Sequence, residues 1–290
     1  MDAVEALERL GGIAPASALL ALTTRRRVRT AVSNGLIRKA GRNRYVLPAA
    51  DQARRAAVLC HGHITHLSAA MHWDWEVRVP PTRPQIAVPH GRPLPKVAAA
   101  DVRRLPRSAR TRGWATDPLT TVLQCARDLP FPDALAVADS ALRHGDLTYD
   151  DLQRVRATSP RVRRVLLYAD GRAANPFEST LRALAIECGL DVVPQYEIHA
   201  RGLVVHPDLV DPIAGVAIEA ESWEWHGKEK RAFESDCERY TALVVTGWRV
   251  LRFTWAEVML NPDHVRACLR ELYAELAAPF ACRGLSQPDG

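Results

Sequence analysis

Apolar and polar residues alternate with clear periods along the second half of the chain, and the clearest pattern lies between residues 175 and 255. Asn175-Pro176-Phe177-Glu178 opens a helix, with Asn as N-cap, Pro at the first helical position and Phe177, Leu181 and Leu184 on one face. Val192 to Ile198 and Leu203 to Val210 read as strands. Gly215-Val216-Ala217-Ile218 is an apolar run leading into Glu219, which suits a strand buried on both faces. Glu229 to Thr246 reads as an amphipathic helix with Phe233, Cys237, Tyr240 and Val244 in phase, stopped by Gly247. Trp248 to Trp255 follows as a strand apolar on both sides. The order is therefore helix, three strands, helix, strand.

A second pattern occupies the N-terminal residues. Val4 to Leu10 predicts a short helix, Gly11-Gly12 breaks it, and Pro15 starts another that runs to Leu22. Thr23-Thr24 can cap a third helix, Arg25 to Asn34, ended by Gly35. Leu36 to Leu47 alternates basic and apolar residues around Gly41-Arg42-Asn43, as a β-hairpin would. Three helices and a hairpin predict a winged helix-turn-helix. Arg25, Arg26, Arg27 and Arg29 start the third helix, the part that enters a major groove, and Arg38, Lys39, Arg42 and Arg44 decorate the wing. A small helical dimerisation module with a solvated basic face is the plainer alternative.

Between these regions the signal is weaker. Thr65-His66-Leu67-Ser68-Ala69-Ala70 starts a helix, Pro80-Pro81-Thr82-Arg83-Pro84 is a rigid connector, and Gln85 to Pro89 reads as a strand. Asp117 to Tyr168 reads as mainly helical, a packed spacer of balanced charge. His61, His63, His66 and His72 match no common zinc spacing, and no cysteine partners them suitably.

Composition narrows the setting. A chain of 290 residues with 47% hydrophobic content can form two or three domains, each with its own core. Six widely spaced cysteines without a C-x-x-C pair argue for reduced thiols in a cytoplasm. The first residues lack a signal-peptide pattern, and no stretch of about eighteen apolar residues predicts a membrane span. Residues 1–48 hold nine Lys/Arg and three Asp/Glu, a net of +6, which equals the formal excess of the whole chain. Charge concentrated in this way is a footprint for a polyanion.

The acids of the C-terminal pattern are the chief candidates for chemistry. Glu178 has a plain explanation as a helix-capping residue three positions after Asn175. Asp208 lies within an apolar strand pattern, and Glu219 ends a buried run, where an unpartnered carboxylate is costly. Glu221 is a second ligand or an exposed strand end, and Asp236 with Arg239 suits a surface ion pair. Carboxylates meeting where strands end make a site for Mg²⁺ or Mn²⁺, hard ions that take oxygen ligands and keep several waters.

His206-Pro207-Asp208, followed by Glu219-Ala220-Glu221, resembles the PD-(D/E)XK nuclease core. With Trp223-Glu224-Trp225-His226, Asp236-x-x-Arg239 and Gly247-Trp248-Arg249-Val250-Leu251-Arg252, it is similar to the branch near very-short-patch-repair endonucleases. The resemblance implies Asp208 and Glu219 as metal ligands, with Glu178, Glu221 and His226 as catalytic candidates. The family's lysine position is held here by Glu221, and His226 could replace that lysine in proton transfer. Residues 1–48 and the region after them resemble the abortive-infection type IV antitoxin family.

The expected fold class is α/β, an α+β multidomain chain. A winged helix-turn-helix over 1–48 precedes a middle region over 51–170, an αβββαβ restriction-endonuclease-like core over 171–280 and a tail over 281–290. The expected function is DNA binding with Mg²⁺-dependent phosphodiester hydrolysis, in a cytoplasmic protein without membrane contact. The alternative is a transcriptional regulator or antitoxin-like protein, with a partner toxin and a catalytically inactive nuclease fold.

Overall fold

Thr24 caps the helix Arg25–Ser33 by accepting a hydrogen bond from the Arg27 backbone N–H at 3.3 Å, so the helix starts where its polar cap sits in the sequence. The computed structural model describes residues 1–10, 13–39, 44–95, 100–156, 159–221 and 230–277. The chain is a mixed α/β structure with several helices and mixed sheets. It divides into two units, Met1–Thr180 and Leu181–Gly290. Among the described residues no helix is long and apolar enough to cross a membrane.

At the N-terminus, helices Ala3–Arg9, Ala16–Leu22 and Arg25–Ser33 accompany an antiparallel sheet of Ile13–Pro15, Arg44–Val46 and Arg38–Lys39, in that spatial order. Leu7, Leu19, Val28 and Ile37 form the core beneath them. The strand Ile13–Pro15 carries no period of its own, because three residues are too few to show one.

The rest of the first unit has two cores. One lies under a five-stranded sheet ordered Asp101–Arg104, Gln85–Val88, His63–Ile64, Ala115–Thr116, Thr111–Arg112. The helices Pro48–Leu59 and His66–His72 pack with it through Ala53, Ala57 and Ala69. The other core joins helices Pro118–Asp128, Phe131–Arg143, Tyr149–Gln153 and Pro160–Tyr168 through Val122, Val137, Leu152 and Val165. Trp75 is buried here, and its indole N–H reaches Asp146 Oδ2 at 2.8 Å.

The second unit is built on a four-stranded sheet ordered Arg249–Thr254, Val216–Glu221, Leu209–Asp211, Val193–Pro194. The first pair is parallel and the others antiparallel. The helix Lys230–Val245 lies between the two parallel strands in the chain. Ala200, Val210, Ala217 and Leu243 form one core cluster, and Leu181, Leu184, Leu209 and Ile218 are also fully buried.

Three sequence expectations change here. The two stretches read as single strands, 192–198 and 203–210, are each broken. Gln195 adopts φ +53°, which takes the chain out of the extended region, and a separate hairpin pairs Ile198–Ala200 with Leu203–Val205 around Arg201 and Gly202, both at positive φ. The inward stripe of the helix Lys230–Val245 is Asp236, Arg239, Tyr240 and Leu243, while Cys237 and Val244 are exposed. This spacing of i, i+3, i+4, i+7 is equally helical, but the buried stripe includes charged residues that an apolar count passes over. Arg249–Thr254 is an edge strand in which Phe253 alone is fully buried, so it is not apolar on both sides. Thr254 and Glu257 then form a capping box for the helix Trp255–Leu260, and the helix Pro262–Ala277 follows.

Candidate acidic site

The antiparallel register pairs Leu209 with Ile218. One step further along, Asp208 stands opposite Glu219, at the point where the strand Leu209–Asp211 begins. Backbone groups hold the two carboxylates together. The Ala220 N–H donates to Asp208 Oδ2 at 2.8 Å, and the Asp208 N–H donates to Glu219 Oε2 at 3.4 Å. Gln195, turned by its positive φ, donates from Nε2 to Asp208 Oδ1 at 3.3 Å and from its backbone N–H to the Asp208 carbonyl at 3.2 Å. The break in the first strand therefore helps to fix Asp208.

Glu219 is only 4% exposed, and its Oε1 is buried without a hydrogen-bond partner. Among the described residues it forms an ion pair with Arg239, whose Nη2 lies 3.5 Å from Oε1. Burial pushes the Glu219 carboxyl up to about 7; Arg239 opposes this rise and the neighbouring Asp208 adds to it. Burial also raises Asp208, against the stabilising Ala220 N–H bond.

Glu221, two residues along the same strand, shares a face with Glu219. Its Oε1 accepts from Tyr240 Oη at 2.7 Å, Arg252 Nε at 2.9 Å and Arg252 Nη2 at 2.8 Å. Arg239 Nη2 donates to Tyr240 Oη at 2.8 Å, and the guanidinium carbons of Arg239 and Arg252 lie 4.8 and 4.2 Å from the Tyr240 ring centroid. The network thus runs from Glu219 through Arg239 and Tyr240 to Glu221 and Arg252. Arg239 also reaches Asp236 at 3.6 Å, the ion pair expected from spacing, but it is half-buried and faces the acidic pair as well. Sequence spacing missed this role. The only signal for it was a helical stripe containing Asp236, Arg239 and Tyr240.

Glu178 caps its own helix, accepting from the Ala174 N–H at 2.8 Å and from Asn175 Nδ2 at 2.9 Å. Asn175 Oδ1 accepts in return from the backbone N–H groups of Phe177 and Glu178. His226, with Trp223, Glu224 and Trp225, lies outside the described residues. In the N-terminal segment Arg25, Arg26, Arg27, Arg29, Arg38 and Lys39 are exposed, with Arg27 Nη1 also donating to the Met1 carbonyl at 2.6 Å. Arg44 lies in the strand Arg44–Val46, and Arg42 lies outside the described residues.

Among the described residues no group of three or more His, Cys, Asp or Glu is arranged around a common point for a metal. Asp208 and Glu219 nevertheless fit a hard divalent ion that takes one or two carboxylates and retains water. Glu219 Oε1, buried without a hydrogen bond, is the oxygen such an ion would satisfy.

No protein-family model matches the sequence. Two uncharacterised proteins of Mycobacterium tuberculosis, from strains CDC 1551 and H37Rv, are each 33% identical over 161 residues, which is 53% of this chain. The match spans 59% of the length of those relatives. Among solved structures, the catalytic domain of the homing endonuclease I-Bth0305I aligns with a TM-score of 0.29 and 19% identity, over 35% of this chain and 97% of that domain.

Proposed function

We propose that the second unit is a nuclease-fold domain that acts on DNA phosphodiester bonds with a divalent metal, and that the N-terminal segment is a winged helix that binds the DNA. The observation that carries this reading is the buried Glu219 Oε1, which lacks a hydrogen bond and has only a long ion pair to Arg239, beside Asp208. A carboxylate so placed is costly as structure alone. Asp208 and Glu219 would hold Mg²⁺ or Mn²⁺. When bound, such an ion acidifies water and neutralises charge on a phosphate.

The chain's own residues supply the remaining work. Arg239 provides a fixed positive charge next to Glu219, in a family pattern whose lysine is replaced by Glu221. Its guanidinium is held by stacking on Tyr240, so the charge is positioned before any ligand arrives. Glu221 is engaged by Tyr240 and Arg252, and its part is to hold those two side chains in place. The proton-transfer role falls to His226, whose ordinary pKa lies near neutrality. Glu178 fixes the start of the helix Pro176–Glu187.

A second reading is a transcriptional regulator with a nuclease fold that no longer cleaves. It is favoured by one observation: Glu221, at the lysine position, is tied into an ion pair with Arg252. The deciding experiment incubates the full chain with plasmid, single-stranded and mismatched DNA, with Mg²⁺, Mn²⁺ or chelator. Metal-dependent cleavage that disappears in Asp208→Asn is expected. Tight DNA binding without cleavage under every condition would leave the regulator reading.

A further inference from the structure

The N-terminal net charge of +6 conceals a second basic block. Residues 77–116 contain nine Lys/Arg and one acidic residue, Asp101, for a net of +8; acids elsewhere in the chain offset them. Within this block, Val102 to Thr116 contains five arginines and no carboxylate at all.

The fold displays these charges. Asp101–Arg104 and Thr111–Arg112 are the two edge strands of the five-stranded sheet. The segment Leu105–Arg110 leaves one edge and enters the other through a tight turn, in which the Ala109 N–H donates to the Pro106 carbonyl at 3.0 Å. Leu105 is buried and anchors the crossing, and its N–H donates to the Val88 carbonyl at 2.9 Å. Arg104, Arg107, Arg110 and Arg112 are exposed along it. Arg103, by contrast, turns to His66, with its Nη1 3.0 Å from His66 Nε2.

Of the four exposed arginines only Arg112 makes an ion pair, a long one to Asp146. Arg104 Nη1 donates to the carbonyls of Pro89 and Arg92, which orient a guanidinium without cancelling its charge. Among the described residues, no carboxylate pairs with Arg107 or Arg110. Arg112 stacks over the Trp73 ring at 4.3 Å, and its nearest carboxylate, Asp146 Oδ1, is 3.9 Å away. Arg104, Arg107 and Arg110, three cations at three-residue intervals with no carboxylate partner among the described residues, cost self-repulsion. Edge protection explains a lysine or arginine on an edge strand, but Arg107 and Arg110 lie on neither strand.

We infer that the arginine-bearing crossing from Arg104 to Arg112 is a second DNA-contacting surface, one that grips the phosphate backbone of duplex DNA without reading sequence. Guanidinium groups are suited to phosphate oxygens, and contacts of this kind set register and affinity rather than specificity. Two separate patches on one chain also raise the effective concentration of each for the same duplex. The inference extends the DNA-binding reading above and does not depend on metal or cleavage.

The test measures binding of the full chain to a mixed-sequence duplex, in chelator, across a salt series. Arg107→Ala/Arg110→Ala should weaken binding and flatten the slope of log K against log salt by up to about 1.8, since each phosphate contact contributes about 0.9. Charge reversal in R107E/R110E should weaken it further, while the melting temperature stays near that of the wild type. The double variant is compared with R25A/R26A/R29A and with the combined variant, where losses should add. An unchanged affinity and slope in R107A/R110A, with the N-terminal variant still impaired, overturns the second surface alone. An unchanged slope in R25A/R26A/R29A, with the crossing variant impaired, overturns only the N-terminal reading. Loss confined to an RNA duplex, with DNA binding intact, also overturns the inference.

Discussion

Glu219 Oε1 and Arg239 Nη2 stand 3.5 Å apart, with the Glu219 side chain 6% exposed and that of Arg239 33% exposed. The pair is asymmetric. The acid is buried and lacks a hydrogen bond at that oxygen, while the base keeps contact with solvent, Tyr240 and Asp236. An arginine at this distance offsets part of the burial cost of the carboxylate without closing the site.

Metal should stabilise the protein through the acidic pair. Mg²⁺ or Mn²⁺ should raise the melting temperature by mass action. Asp208→Asn should abolish that response and leave the metal-free fold as stable or slightly more so, because one of two neighbouring like charges is removed at nearly constant volume. Thermal melts with and without metal check this. A full metal response in Asp208→Asn would mean that the ion binds elsewhere.

Glu219 sets the sign of a pH dependence. Its carboxyl is held up near 7, above the ordinary 4.5, so between these values the unfolded chain has released a proton that the folded chain retains. The contribution of Glu219 to the stability of the metal-free protein should therefore be largest below about 4.5 and fall as pH rises through 7, by on the order of 3 kcal/mol. Glu219→Gln should remove that slope. Urea denaturation at several pH values in chelator measures the difference between the two proteins. Metal affinity should run the opposite way, rising across the same window with proton release.

Arg239 should tune that titration. Removing its charge leaves Glu219 harder to ionise, so in Arg239→Ala the pH midpoint for metal binding should move upward and stability should drop by about 1–3 kcal/mol. Arg239→Lys should restore much of the midpoint, yet not the guanidinium contact with the Tyr240 ring and hydroxyl. Isothermal titration with Mn²⁺ across pH reads both. An unmoved midpoint in Arg239→Ala would leave Arg239 as packing alone.

The N-terminal arginines should act through counterion release. Arg25→Ala/Arg26→Ala/Arg29→Ala should lower the salt slope of duplex binding by up to about 2.7, at about 0.9 per lost contact. If the helix Arg25–Ser33 also reads bases, one of these substitutions will change sequence preference as well. Binding isotherms on several duplexes at graded salt distinguish the two.

His226→Ala should separate chemistry from metal binding. The metal-induced rise in melting temperature should persist, while any cleavage rate falls by roughly 10²–10⁴, as for loss of a general acid or base. A matched loss of metal stabilisation would instead make His226 a ligand.

The sequence by itself determined the elements whose signals are local. Asn175 and Thr24 mark helix starts because their side chains bond backbone N–H groups two or three residues away, contacts made within one turn. Glu219 stood out because a carboxylate ending an apolar run has no inexpensive place in a sheet. Its pairing with Asp208 followed from strand order. The tertiary structure decided what depends on rotation and registry. The helix Lys230–Val245 turns its Asp236–Arg239–Tyr240–Leu243 stripe inward, and two equally helical stripes cannot be ranked by apolar count when one of them carries buried charge. The strands around Asp208 are broken by Gln195 at positive φ, a conformation its residue type does not announce. The exposed arginines between Arg104 and Arg112 were hidden in an overall charge balance. Their meaning depends on a chain path that joins two sheet edges, and only long-range strand pairing specifies that path.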